Sequence, residues 1–213
     1  MKIFACDTAL GACSVAVLDG DTILAHRIVE MQRGHAEALA PMAQDALREA
    51  GIVLSALDRL AVTTGPGTFT GQRVGLAFMR GLRIALRKPL IGITTFEAMA
   101  AQACAQTGLA NAAVLHDARR DEVYALLAKN GDVAIGPLVA PLYEAVAMLE
   151  SATPLALAGT AAPAAKLPGA TMTPVIHPDA LWVARLALHA PASDEAPRPL
   201  YLRPADAKLP AKP

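Results

Sequence analysis

The sequence has few aromatic residues, and its positive and negative charges balance. Aromatic residues make up 4% of the 213 residues while hydrophobic residues make up 54%, so small aliphatic side chains must fill the core. This composition is typical of a globular protein of one large or two small domains and excludes a largely disordered chain. The net charge of zero provides no long-range attraction of the whole protein to nucleic acid.

Two further features that the sequence lacks concern its location. No apolar run approaches the roughly twenty residues that a membrane-spanning helix needs. The first strand soon meets Asp7, which does not fit a signal peptide, so we expect a cytoplasmic protein. The three cysteines, Cys6, Cys13 and Cys104, lack the spacing of a metal site, and we expect them to be buried, reduced thiols.

The chain is organised around residues 60–75, where an apolar strand leads into a glycine-rich turn and then into a helix. Gly65 and Gly67 permit backbone angles that other residues resist, and Thr68 or Thr70 can cap the helix. Such a helix N-terminus suits an anion. The glycine spacing matches neither the P-loop nor the dinucleotide-binding fingerprint. These residues therefore leave both a structural joint and a ligand-binding loop open.

The helix after this turn is expected to end near residue 86 and carries two rows of small residues spaced four apart. The rows contain Gly71 and Gly75, and Ala77, Gly81 and Ala85. Small residues let another backbone approach closely. We expect one row to pack within the chain and the other to contact a second subunit.

The same helix is basic. It carries Arg73, Arg80 and Arg83, Arg87 follows it, and the sequence has no acidic residue between Arg59 and Phe96. The arginines indicate either a solvated helix face or a docking face for an acidic partner. Arg73 favours the docking face, since a cation in the first turn opposes the helix dipole unless an anion is near. Direct binding of tRNA is less favoured, because no aromatic platform accompanies the arginines.

Hydrophobic periodicity predicts an α/β fold along the rest of the chain. Strands are predicted at residues 2–6, 13–18, 22–29, 88–93, 112–115, 123–127 and 155–158. Helices are predicted at residues 34–50, 96–106, 141–149 and 178–189. Pro41 is expected to kink the first of these helices or to mark a late start, Thr94 or Thr95 is expected to cap the second, and Gly108 to end it. Residues 197–213 are proline-rich and are expected to be extended, with a disordered end.

No catalytic set emerges from the pattern of reactive residues. The serines lie in no context typical of a nucleophile, and the five histidines are scattered. Asp7 and Asp117 are the plausible carboxylates for acid–base chemistry. Asp7 ends a strand before a small-residue turn, an arrangement similar to the phosphate loop of sugar kinases and actin but also to ordinary turns.

The segment Thr64-Gly-Pro-Gly-Thr-Phe-Thr-Gly71-Gln-Arg73-Val-Gly75 closely resembles the signature of the bacterial TsaB (YeaZ) family. Members of that family are subunits of the machinery that makes threonylcarbamoyladenosine in tRNA. The resemblance extends over nearly the whole chain. Further similar blocks lie at residues 3–8, 13–16, 34–41, 94–100, 117–124 and 199–204.

The resemblance implies two tandem domains of the actin/sugar-kinase (ASKHA) type, at residues 1–108 and 109–213. It also implies a non-catalytic relative of TsaD, the subunit that transfers the threonylcarbamoyl group to the adenosine next to the anticodon. TsaD carries a metal-binding His-x-x-x-His where this chain has Thr95 and Met99, and neither side chain replaces imidazole as a ligand. The implied partners are TsaD and TsaE, with tRNA bound only through the complex and no membrane partner.

We expect a homodimer when the chain is alone, because an exposed apolar helix face rarely stays uncovered. We expect the chain to have no cofactor of its own, although nucleotide at a subunit junction stays open. The interface that the resemblance implies lies on the helices at residues 34–50 and 71–86. The interface candidates are His35, Leu39, Met42, Ala43, Ala46, Arg73, Ala77, Arg80, Gly81 and Ile84. The candidates for an anion or nucleotide contact are Asp7, Thr8, Gly65, Gly67, Thr68, Thr70 and Gly71. The alternative is an independent ATP-binding enzyme, kinase- or peptidase-like, that holds nucleotide with this second set.

Overall fold

The computed structural model describes residues 1–193 and 195–203 and shows two five-stranded mixed sheets flanked by helices. The strands of the first sheet are β1 (Lys2–Asp7), β2 (Ala12–Asp19), β3 (Thr22–Glu30), β4 (Arg59–Thr63) and β5 (Leu90–Ile93). Their order is β3-β2-β1-β4-β5, with β1 antiparallel to β2 and parallel to β4. The α/β class predicted from periodicity is confirmed.

The second sheet repeats the strand plan of the first. Its strands are β6 (Asn111–Asp117), β7 (Glu122–Lys129), β8 (Asp132–Pro141), β9 (Leu155–Ala158) and β10 (Ala170–Met172). Their order is β10-β9-β6-β7-β8, so each sheet places its first strand centrally, between an antiparallel hairpin partner and a parallel strand. Two strands were not predicted, because β8 is only partly buried and contains Gly136 and Pro137, and β10 has only 3 residues.

Six helices connect and cover the strands in the described part of the chain. They are α1 (His35–Glu49), α2 (Phe69–Leu86), α3 (Thr95–Thr107), α4 (Leu142–Leu149), α5 (Ala162–Ala165) and α6 (Ala180–His189). The expected late start of α1 is wrong, because the helix begins at His35 and runs through Pro41. Thr94, not Thr95, caps α3, and its hydroxyl accepts from the Glu97 amide while the Glu97 carboxylate accepts from the Thr94 amide. Gly108 ends α3 in the left-handed conformation.

The helices that follow the two sheets are exchanged between them. α3 directly follows the first sheet, yet Phe96 and Met99 pack with Val114 and Leu126 of the second sheet. α6 follows the second sheet, yet its buried residues pack against Ile3 and other side chains of the first sheet. Each sheet therefore depends on a helix that the other half of the chain supplies, which no local sequence pattern reveals.

Two of the three cysteines are buried, as the sequence predicts. Cys6 and Cys13 lie in the core, Cys104 is half-buried, and all three are free thiols. Burial raises the pKa of Cys13 to about 12 and raises that of Cys6 well above its usual value, so both stay protonated and unreactive. Across residues 1–193 and 195–203, no group of side chains could hold a metal ion, and no helix is long and apolar enough to cross a membrane.

Residues 195–203 form an extended segment without helix or strand, as the proline content predicts. This C-terminal segment returns from α6 to the first sheet and then reaches the second. The Leu200 amide donates to the Thr64 carbonyl at 2.7 Å, and the Arg203 guanidinium donates to the Ala118 carbonyl at 2.6 Å. The expectation of a disordered end concerns residues 204–213, which lie outside the described residues.

Candidate functional site

The glycine-rich turn between β4 and α2 packs against the turn that follows β1. Gly65 has a φ of 108°, in the left-handed region, and a Cβ there would lie 2.6 Å from Oε1 of Gln72. A Cβ on Gly67 would lie 2.4 Å from the carbonyl oxygen of Ala9, and the Thr68 amide donates to that same oxygen at 2.8 Å. The turn is therefore filled by the chain's own backbone.

The first turn of α2 is capped from within the chain. Thr68 is the N-cap, and its hydroxyl accepts a hydrogen bond from the Gly71 amide at 3.1 Å. Thr70, the other candidate cap, is an exposed residue of the helix. Nε2 of Gln72 donates to the Gly67 carbonyl at 2.9 Å, which ties the buried Gln72 side chain to the turn.

Thr8, directly after β1, binds the backbone of α2 through its side-chain hydroxyl. The Thr8 hydroxyl donates to the Gly71 carbonyl at 2.6 Å and accepts from the Gly75 amide at 3.0 Å. A Cβ on Gly71 would lie 2.2 Å from the Thr8 carbonyl oxygen, and one on Gly75 would lie 2.8 Å from the Thr8 hydroxyl. The first row of small residues therefore packs within the chain, as expected.

Asp7 is completely buried beside this contact. Its Oδ1 accepts from the Thr63 hydroxyl at 2.5 Å and from the Ala9 amide at 3.1 Å, whereas Oδ2 has no partner among the described residues. Burial raises the pKa of Asp7 to about 7, against the opposing effect of these hydrogen bonds. A buried carboxylate offers no surface to a ligand in this conformation.

The residues predicted to contact an anion or nucleotide thus lie together, but in a packed joint. Asp7, Thr8, Gly65 and Gly71 are buried, Gly67 is half-buried, and Thr68 and Thr70 are exposed. A phosphate at the α2 N-terminus would have to displace the Thr68 cap or the Ala9 contact. Of the two alternatives that the sequence left open, the geometry favours the structural joint.

The second row of small residues lies on the solvent side of α2. Ala77, Gly81 and Ala85 are exposed, and a Cβ on Gly81 would meet no atom of the described residues within 4 Å. On the same side, Ile84 exposes 76% of its surface and Phe69 exposes 49%. We call the exposed side formed by Phe69, Arg73, Ala77, Gly81 and Ile84 the α2 face. Phe69 and Arg73 contact Tyr201 of the C-terminal segment, whereas Ala77, Gly81 and Ile84 remain exposed.

The interface candidates on α1 are mostly core residues. Leu39, Ala43 and Ala46 are buried in the core of the first sheet, so they offer no surface to a partner. Met42 and His35 are half-buried, and Nε2 of His35 lies 3.0 Å from the Leu10 carbonyl oxygen. The exposed side of α1 instead carries Ala36, Ala40, Pro41 and Gln44.

The two arginines predicted for the interface contact aromatic and backbone groups of the C-terminal segment. The Arg73 guanidinium lies 3.5 Å from the centroid of the Phe69 ring, and its Nε donates to the Tyr201 hydroxyl at 2.8 Å. Arg80 donates to the Pro197 carbonyl. Arg73 is therefore already held by neutral groups of its own chain. No sequence pattern indicated this contact beyond the presence of Tyr201 in the closing motif.

The motif at residues 117–124 forms the tip of the β6–β7 hairpin. The Asp117 carboxylate accepts from the Arg119 backbone amide at 2.7 Å and so stabilises the turn. Glu122 forms an ion pair with Arg203 of the C-terminal segment. Two motifs that the sequence shows separately are thus in contact.

The positions that the resemblance matches to the metal-binding histidines of TsaD are packed into the fold. Thr95 and Met99 are both completely buried. The Thr95 amide donates to the Gly65 carbonyl at 2.8 Å, and Met99 lies in the apolar cluster between α3 and the second sheet. Neither side chain is a suitable ligand for iron or zinc in these surroundings.

Comparison with known proteins gives consistent results. The family model of TsaD, tRNA N6-adenosine threonylcarbamoyltransferase, matches residues 22–178. The TsaB protein of Escherichia coli, which is named for tRNA threonylcarbamoyladenosine biosynthesis, is 40% identical over 124 residues; these cover 58% of this chain and only about half, 53%, of the relative. YeaZ from Pseudomonas aeruginosa superimposes with a TM-score of 0.80 at 31% identity, covering 94% of this chain and 99% of that one.

A more distant structural neighbour shows the fold alone. The activator of 2-hydroxyisocaproyl-CoA dehydratase from Clostridium difficile has a TM-score of 0.53 at 10% identity, over 88% of this chain and 94% of its own. That protein was solved with bound ADPNP. At this identity the likeness extends to the arrangement of sheets and helices and not to the site.

Proposed function

Because the chain belongs to the TsaB (YeaZ) family, we propose that it acts in tRNA threonylcarbamoyladenosine biosynthesis as a non-catalytic subunit that pairs with a TsaD-type transferase. In this proposal the pair recruits the TsaE-type subunit, and the isolated chain forms a homodimer that yields to the pair. The two sheets correspond to tandem ASKHA-like domains, residues 1–108 and 109–213, which exchange their last helices.

The observation that carries the proposal is the exposed side of α2. Ile84, which exposes 76% of its surface, shares one side of the helix with the half-exposed Phe69 and with small residues that allow close helix packing, and such a combined patch is typical of an interaction site. Residues 60 to 95 include no acidic residue, so α2 itself is positively charged, and Glu195 of the C-terminal segment lines a groove with Arg80 and Ile84. A partner helix with acidic and small residues would fit the α2 face.

The non-catalytic role is supported by the surroundings of the residues that chemistry would need. Thr95 and Met99 are core residues without imidazole groups, and the Asp7 carboxylate is enclosed by the chain's own turns. The alternative, an independent ATP-binding enzyme, is not favoured, because nucleotide would have to open the packed joint at Gly65 and Gly67. The enzyme alternative would be supported if the purified chain hydrolysed ATP and Asp7→Ala abolished this hydrolysis.

Sedimentation velocity on the purified chain, alone and with the TsaD-type protein of the same genome, tests the pairing. We expect a homodimer that is replaced by a one-to-one complex. Ile84→Asp should prevent both associations, whereas Met148→Asp, which charges an exposed apolar position on α4, should prevent neither. The proposal would be refuted if the chain formed no complex with the TsaD-type protein.

The pathway can be tested separately by nucleoside mass spectrometry of tRNA from cells depleted of this chain. We expect threonylcarbamoyladenosine to fall and to be restored by the wild-type chain and by Met148→Asp but not by Ile84→Asp. An unchanged level of the modified nucleoside on depletion would show that the chain has another role.

A further inference from the structure

Three side chains form an exposed cluster where the C-terminal segment crosses α2. The rings of Phe69 and Tyr201 are stacked, with centroids 5.7 Å apart and planes inclined by 30°. The Arg73 guanidinium lies over the Phe69 ring and donates to the Tyr201 hydroxyl. Despite these contacts, Phe69 and Tyr201 still expose 49% and 42% of their surfaces. We call these three residues the aromatic cluster.

The aromatic cluster continues the α2 face. Phe69, Arg73 and Ala77 are spaced four residues apart on one side of the helix, and Ile84 follows two turns later. Tyr201 lies over the N-terminal end of this stripe although it belongs to the other end of the chain. One surface is therefore built from two segments, the helix and the C-terminal segment.

The position of Tyr201 is held on both sides. Before it, the Leu200 amide donates to the Thr64 carbonyl, and after it Arg203 binds the Ala118 carbonyl and pairs with Glu122. Arg203 thus connects the C-terminal segment to the hairpin tip of the second sheet. Because the ring is fixed before any partner arrives, binding would cost little side-chain entropy.

We propose that the aromatic cluster is the energetic hot spot of the partner surface, with Tyr201 contributed by the C-terminal segment and positioned by Arg203. Tyrosine and arginine are enriched in hot spots, where few residues provide most of the binding energy. The proposal rests on the function proposed above, and its occupant is the TsaD-type subunit, presenting carboxylates. A second copy fits less well, because twofold pairing along α2 would bring Arg73 and Arg80 of both copies onto one interface, where their like charges repel.

Titration calorimetry of the full chain with the TsaD-type subunit of the same genome tests this. Tyr201→Ala should weaken binding by about tenfold or more, and Tyr143→Ala, which removes a tyrosine that is 73% exposed on α4, should leave the affinity within about twofold. Arg203→Ala should weaken binding less than Tyr201→Ala, because it loosens the segment without removing a contact. Thermal unfolding of each variant verifies that the chain remains folded.

The outcomes separate this inference from the proposed function. If Ile84→Asp prevents pairing while Tyr201→Ala binds as tightly as the wild type, the hot spot is refuted and the partner surface stands. If Tyr201→Ala weakens only self-association, the occupant is a second copy and the inference is wrong. If the wild-type chain does not bind the TsaD-type subunit at all, both fail together.

Discussion

The Thr8 hydroxyl accepts a hydrogen bond from the Gly75 amide at 3.0 Å, and so joins the end of the first strand to the interior of helix α2. The same hydroxyl donates to the Gly71 carbonyl, so one side chain bridges two backbone groups of the helix. This contact explains why glycines occupy the inner side of α2. It also fixes the orientation of the helix, and therefore of the α2 face on its other side.

Removing this hydroxyl should destabilise the fold. Thr8→Val keeps the shape of the side chain but leaves the Gly71 carbonyl and the Gly75 amide without their buried partner, so we expect a loss of about 1–3 kcal/mol in the free energy of unfolding. Thr70→Val, at an exposed position of the same helix, should change it by less than about 0.5 kcal/mol. Urea denaturation measures both, and equal stabilities would contradict the structural role of Thr8.

Alanine should have opposite effects at the two rows of small residues. At Gly75 a Cβ would lie 2.8 Å from the Thr8 hydroxyl, so Gly75→Ala should lower stability despite the better helix propensity of alanine. At Gly81 the Cβ meets open space among the described residues, so Gly81→Ala should raise the stability of the chain by up to about 1 kcal/mol. Thermal unfolding of the two variants compares them directly, and a stabilised Gly75→Ala would refute the close packing.

The bulkier substitution Gly81→Leu tests the surface and not the fold. Because the position is open, the chain should fold with nearly unchanged stability, but the leucine should hinder the close approach of a partner helix. We expect pairing with the TsaD-type protein to be lost in a pull-down, while Gly81→Ala retains it. A retained pair with Gly81→Leu would remove α2 from the interface.

Asp7 should make the protein less stable as the pH rises. Its pKa is about 7 in the folded chain and 3.8 for an ordinary aspartate, so folding favours the protonated acid. The resulting loss in the free energy of unfolding is absent below pH 3.8, grows between pH 3.8 and 7, and is complete above pH 7. Asp7→Asn should therefore stabilise the chain by about 1–4 kcal/mol at pH 8 and by little at pH 4. Exposed Asp21→Asn is the control, and a gain from Asp7→Asn that does not depend on pH would contradict the ionisation argument.

His116 should act in the opposite direction. Burial, reinforced by nearby His177, lowers its pKa to about 4 from 6.5, so the folded chain favours the neutral ring. The contribution of the neutral His116 ring to the free energy of unfolding is complete above pH 6.5 and is lost as the pH falls toward 4. Replacing it by glutamine should make unfolding less sensitive to pH between these values, by up to about 3 kcal/mol. His189→Gln, at an exposed position, should leave the pH profile as in the wild type.

Local features of the fold could be predicted from the sequence because neighbouring residues produce them. The strand before Gly65, the helix after it and the capping of α3 follow from hydrophobic spacing, glycine and a threonine with a glutamate three residues later. The family could be predicted too, since the sequence motif of the glycine-rich turn is specific. The weakly patterned strands β8 and β10 were missed, because partly exposed or very short strands have little periodicity of their own.

The candidate site could be predicted only in part. The outward row at Ala77 and Gly81 was expected and is exposed, but Leu39, Ala43 and Ala46 proved to be core residues. An apolar stripe on a helix predicts that the stripe is covered, and it does not say whether the cover is the chain's own sheet or another subunit.

What the sequence determined by itself is most of the helices and strands, the turn chemistry and the family, because each depends on residues close together in the chain. Only the tertiary structure decided that α3 and α6 exchange sheets, that Asp7 is enclosed, and that Tyr201 stacks on Phe69. These contacts join residues far apart in sequence. Their energies come from burial and hydrogen bonding that exist only once the chain has closed around them.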